Sequence, residues 1–146
     1  MAVTYDKIAY PLIENGLKKL IDDEFQNVYV SPVFTMIGNE CIRINLEGSE
    51  DIETHAFYER RSYTLSIRCY FNGDMTSPNV NESVKGKIDR LRKHLIDNQN
   101  KNTASATWVE LTINSIDYDI TDDDNEDAPE IYIAEFNLEL INHNPF

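Results

Sequence analysis

The chain is predicted to be an α+β protein, with a mixed or antiparallel sheet of about five strands, two helices packed on one face, and the order α-β-β-β-α-β-β. Three observations predict it. In residues 58–71, Tyr63, Leu65, Ile67 and Cys69 alternate with Ser62, Thr64, Ser66 and Arg68, the period of a strand with one core face and one polar face. Residues 130–141 repeat the pattern, with Tyr132, Ala134, Phe136, Leu138 and Leu140 against Ile133, Glu135, Asn137 and Glu139. Between them Val84, Ile88, Leu91 and Leu95 recur at helical spacing, an apolar stripe suited to a sheet.

The elements follow in order. Residues 4 to about 24 read as the first helix, with Ile8, Leu12, Leu17, Leu20 and Ile21 near one face and Thr4 as an acceptable N-cap. Pro11 must either kink that helix or sit in its first turn, so the regular part is expected over residues 11–23. Asp22, Asp23 and Glu24 lie at its C-terminal end, where the helix dipole disfavours them. Residues 27–33 form a short strand stopped by Pro32. A second strand covers residues 41–47, with Ile42, Ile44 and Leu46 against Arg43 and Asn45, and Gly48 is expected to end it. Residues 48–57 are polar and acidic, which suits an exposed hairpin arm or loop. Asn72, Gly73 and Asp74 break the chain after the third strand, and a second helix starts near Ser77 or Asn81. Residues 107–120 and 130–141 complete the sheet as a hairpin around an exposed acidic loop at 121–130. Residues 142–146 are expected to be a short flexible tail.

With 146 residues, 41% of them hydrophobic, one domain spanning 1–146 with a single core is expected. The N-terminus lacks a basic region followed by an apolar one, and no apolar run reaches the roughly 18 residues of a spanning helix, so a cytoplasmic protein without a membrane partner is expected. Cys41 and Cys69, both on predicted strands, read as buried thiols.

Charge is the most informative property. The net charge of -13 argues against nonspecific nucleic-acid binding. Residues 58–101 nevertheless hold nine Lys or Arg against five acids, while residues 102–146 hold eleven acids and no Lys or Arg. Such a two-sided molecule is suited to self-association, basic face against acidic face. The subunit-interface candidates are Arg60, Arg61 and Arg68 on the third strand and Arg90 and Lys93 on the second helix. That helix carries Lys85, Lys87, Arg90, Arg92, Lys93 and His94 opposite its apolar stripe. Asp122, Asp123, Asp124, Glu126 and Asp127 of the acidic loop are candidates for a lumen or partner contact.

Catalytic and cofactor motifs are missing. The acidic loop has no Gly at the sixth position and lies between strands, unlike an EF-hand loop. Gly16, Gly38, Gly48, Gly73 and Gly86 are scattered, so no phosphate-cradling loop exists. His55, His94 and His143 fall on three different segments, and no Gly-x-Ser-x-Gly, His-Glu-x-x-His or Cys-x-x-Cys occurs. A non-enzyme without catalytic, cofactor-binding or metal-binding residues is expected.

The run Arg61-Ser-Tyr-Thr-Leu-Ser-Ile-Arg68, the helix Lys87-Ile-Asp-Arg-Leu-Arg-Lys-His-Leu95, and the strands Trp108-Val-Glu-Leu-Thr-Ile-Asn-Ser-Ile116 and Ala134-Glu-Phe-Asn-Leu-Glu-Leu140 carry a resemblance. In this order and length the chain resembles the tail terminator proteins of long-tailed bacteriophages, also called tail completion or head-tail joining proteins. The resemblance spans nearly the whole chain as a pattern rather than a sharp motif. It implies a structural virion protein, assembled in the host cytoplasm and located at the head-proximal end of the tail. It further implies a homohexameric ring that binds the last ring of the tail tube protein, ends tube polymerisation and meets the head-tail connector or neck protein. DNA would pass through the lumen without sequence-specific binding. The alternative from another class is an acidic DNA mimic that inhibits a DNA-binding enzyme, and a calcium-dependent binding module is a third reading.

Overall fold

The computed structural model describes residues 2–73, 76–121 and 131–145. A π-helical turn, Ala9–Glu14, leads into helix α1, Asn15–Asp22. Strands β1 (Val28–Val30), β2 (Glu40–Thr54) and β3 (Tyr58–Asn72) follow, then helix α2 (Pro78–Ile96). A two-residue ribbon, β4 (Lys101–Asn102) with β5 (Thr107–Trp108), precedes β6 (Glu110–Thr121) and β7 (Ile131–Pro145). The five-stranded sheet has the order β1-β2-β3-β7-β6. The β1–β2 pair is parallel and the other pairs are antiparallel, so the expected α+β architecture with a mixed sheet is the one observed.

Alternation places Tyr63, Leu65, Ile67, Cys69 and Phe71 of β3 on the same face as Tyr132, Ala134, Phe136, Leu138 and Leu140 of β7, and all of them are buried. Ile13, Leu17, Leu20 and Ile21 from the first helical segment and Val84, Ile88, Leu91 and Leu95 from α2 close over that face in one apolar cluster. Burial of this apolar surface is the main force holding the two layers together. Gly16 lets α1 come close to the turn before β5, because a Cβ there would meet the Ala106 Cα at 2.9 Å. Trp108, fully buried, donates from its indole nitrogen to the Asn98 carbonyl at 3.0 Å and so anchors the end of α2.

Three sequence expectations are corrected. Helical backbone begins two residues before Pro11: Leu12 and Ile13 both donate to the Ile8 carbonyl, so Pro11 falls in the first turn, where the missing N–H costs no helical bond. Gly48 does not end the second strand. Pairing runs from Leu46↔Leu65 to Gly48↔Thr64, so Glu47 is an extra, bulged residue and the strand continues to Thr54. Residues 48–54 therefore continue β2 along β3, and the two form an arm that β7 backs on its β3 side, closed by the Tyr58 carbonyl accepting from the His55 N–H at 2.8 Å. Residues 142–145 are no flexible tail: β7 runs on to Pro145, with Asn142, His143 and Asn144 paired to Arg61, Arg60 and Glu59.

Residues 31–39, which join the parallel strands β1 and β2, cover part of the opposite face of the sheet. The Phe34 ring lies 4.2 Å from that of Tyr70. Arg43, 6% exposed, donates to the Pro32 carbonyl at 2.8 Å. Asn27, at φ 56, supports this crossing by donating to the Glu40 carbonyl at 3.0 Å.

Candidate functional site

The five cationic interface candidates do not form one patch, and each has an acidic partner within the chain. Arg60 approaches Glu110 at 3.8 Å, with its Nε buried and unpartnered. Arg68 meets Glu135 at 2.9 Å, directly across the β3–β7 pair. Arg90 donates to both the carbonyl and the carboxylate of Glu24, at 2.7 and 2.5 Å, and lies over the Phe25 ring at 4.9 Å. Lys93 pairs with Asp97 one helical turn on. These pairs and Lys87–Glu40 neutralise much of the basic middle locally. The acidic-loop candidates Asp122, Asp123, Asp124, Glu126 and Asp127 lie outside the described residues.

Arg61 belongs to a different constellation, which runs along the β3 strand of the arm from Tyr63 to Glu59. Its guanidinium donates to Glu59 at 3.0 Å and to the Ser49 hydroxyl at 3.1 Å. Glu59 also accepts from Asn144 at 3.1 Å, and Asn144 donates to the Tyr63 hydroxyl at 2.7 Å. Asn142 completes the chain by donating to the Asn144 side-chain oxygen at 3.0 Å. The Arg61 guanidinium and the Asn144 amide hold the Glu59 carboxyl below the usual carboxylate range, because both bond the charged form. Burial pushes the Tyr63 phenol up. A groove of about 550 Å³ opens beside this network, walled by Tyr5, Ile8, Tyr10 and Pro11.

β7 backs the β3 strand of the arm out to Tyr58, while the β2 strand is open on its outer side among the described residues. Residues 47–54 are exposed on both faces, and the tip presents Phe57 at 84% and Ile52 at 47% exposure. Its strand carries Glu47, Glu50, Asp51 and Glu53, with no Lys or Arg between Arg43 and Arg60. At the other end of the sheet, β6 is an edge strand among the described residues. A groove of about 470 Å³ separates it from α2, lined by Arg92 and Ile96 on the helix, by Gln99 just after it, and by Leu111, Ile113 and Ile116 on the strand. Lys85 and Arg92 make no ion pair among the described residues.

Sequence reasoning counted Lys85 and Arg92 with the basic face of the helix but did not separate them from the paired cations. The signal was a difference in helical angle: Lys87, Arg90 and His94 share the side that reaches Glu40, Glu24 and the Leu20 carbonyl, and Lys85 and Arg92 lie opposite. The Glu59–Asn144 network had no sequence signal, since it depends on which strands are neighbours.

Cys41 and Cys69 are buried, unlinked thiols. Among the described residues, no group of three or more His, Cys, Asp or Glu side chains gathers at metal-binding distance, and no helix is long and apolar enough to cross a membrane. Neither a protein-family model nor a curated protein matches the chain.

Proposed function

We propose that this chain is a structural virion protein that assembles into a homo-oligomeric, hexameric ring capping a phage tail tube. The ring ends tube polymerisation, presents the surface for head-tail joining, and leaves a lumen through which DNA passes. The observation that carries this reading is the asymmetry of the protomer: an exposed, acidic, apolar-tipped arm at one end of the sheet and, among the described residues, an edge strand beside cations without an ion pair at the other. A head-to-tail ring requires two different complementary surfaces on each copy, whereas a two-fold dimer requires one surface that complements itself.

The polar face of the sheet supports the lumen in the same reading. Asp117, Asp119, Glu135 and Glu139 alternate onto that face of β6 and β7, and carboxylates repel the phosphates of sliding DNA. Negative-stain imaging of the purified chain, alone and mixed with tail tubes, tests the proposal. Rings and capped tube ends are expected; uncapped tubes that continue to grow in its presence would refute it.

A further inference from the structure

The two open edges of the sheet differ in charge. β1 pairs with β2 only as far as Ile44; the Leu46 N–H bonds the Glu14 carboxylate, and over residues 47–54 β2 pairs with β3 alone among the described residues and leaves its other edge open. Along this stretch Glu47 and Glu50 have no ion pair among the described residues, Asp51 accepts from Thr54, and Glu53 reaches only His55, at 3.0 Å. Arg61 stands opposite Asp51 across the pair but directs its guanidinium to Glu59 and Ser49. The arm therefore projects uncompensated negative charge. An exposed strand edge also presents free N–H and C=O groups suited to pairing with another strand.

The other open edge has the complementary character. Leu111, Ile113 and Ile116 of β6 form an apolar wall, and Ile96 and Arg92 of α2 face it across the groove. Lys85 lies two helical turns before Arg92 on the same side of α2. Lys87, Arg90 and Lys93 are already held by Glu40, Glu24 and Asp97. Lys85 and Arg92, which have no ion pair among the described residues, can meet an incoming carboxylate.

We infer that the β2–β3 arm of one copy lies along the β6 edge of the next, with the Glu47 and Glu50 carboxylates against Arg92 and Lys85 and the apolar tip over the groove. The occupant is a second copy because the acidic edge and its basic counterpart occur on opposite ends of the same sheet. The contact joins unlike surfaces, the kind of interface a ring repeats when the rotation between copies closes. This seat rests on the ring reading and specifies its interface.

A charge-reversal cycle on the full chain tests it, with assembly followed by sedimentation and folding by thermal melting. The double variants E47K/E50K and K85E/R92E should each weaken association at least about tenfold, because like charges then face each other. Their melting as monomers should be unchanged. The quadruple variant, with both surfaces reversed, should recover assembly. If a double variant fails to fold, the neutral pairs E47Q/E50Q and K85Q/R92Q replace it, each with a smaller loss. Double variants that assemble like the wild type, or a quadruple variant no better than the doubles, would overturn the arm seat while leaving the ring intact. A wild-type chain that stays monomeric would overturn the ring itself.

Discussion

Asn144 donates to the Tyr63 hydroxyl at 2.7 Å and to the Glu59 carboxylate at 3.1 Å from a position only 4% exposed. Asn144 thus ties β7 to the β3 strand of the arm. Asn144→Ala should destabilise the fold by about 1–3 kcal/mol, the cost of leaving buried polar partners unsatisfied. Deletion of residues 142–146 should cost more, because it also removes ladder bonds to β3. Urea denaturation measures both, and a deletion that leaves the midpoint unchanged would contradict this role.

The same network gives the fold a defined acid sensitivity. The folded-state pKa of Glu59 is depressed by Arg61 and Asn144. Its contribution to stability is therefore fully present above the unfolded carboxylate value, about 4.3, and is lost as pH falls through the lower folded value. Glu59→Gln should be less stable than wild type at pH 7, with the difference closing on acidification below about pH 4. Melting temperatures of the two proteins across pH 3–7 check this; a constant difference would remove Glu59 from the effect.

The transverse row Arg43, Arg68, Glu135 places two arginines side by side on β2 and β3, with one carboxylate on β7 next to the second. Arg43 itself has no acidic partner among the described residues. Glu135→Gln should cost about 1 kcal/mol, a figure held down by the solvent exposure of the Arg68–Glu135 pair. The loss should shrink at high salt, since part of it is repulsion between the arginines. Denaturation at low and high ionic strength separates this charge effect from a packing effect.

Gly16 marks the closest approach of α1 to its neighbours. Helix propensity favours alanine there by about 1 kcal/mol. The added Cβ would nonetheless lie 2.9 Å from the Ala106 Cα and 3.0 Å from the Ser105 carbonyl oxygen, both on backbone that cannot rotate away. Gly16→Ala should be net destabilising by about 1–3 kcal/mol, the usual cost of overpacking. A stabilised variant in the same denaturation measurement would show that the turn yields.

The layers of this fold were legible because period-2 and helical patterns depend on neighbours in sequence: Tyr63, Leu65, Ile67 and Cys69, and Val84, Ile88, Leu91 and Leu95, are the residues that fill the core. Gly48 misled because a glycine that commonly ends a strand also fits a bulge. Asn142 and Asn144 read as a tail because asparagine usually marks turns, and the partners that make it a strand residue, Glu59 and Tyr63, are distant in sequence. The interface candidates were chosen on net charge alone. Arg68 and Arg90 find Glu135 and Glu24 through tertiary contact, which no charge count can anticipate.

Association state in solution tests the central proposal most directly. Light scattering or sedimentation at high protein concentration and low salt should give a species of six times the 16.9 kDa chain mass, dissociating as salt screens the charged contacts. A single 16.9 kDa species across that range would contradict a ring-forming protein.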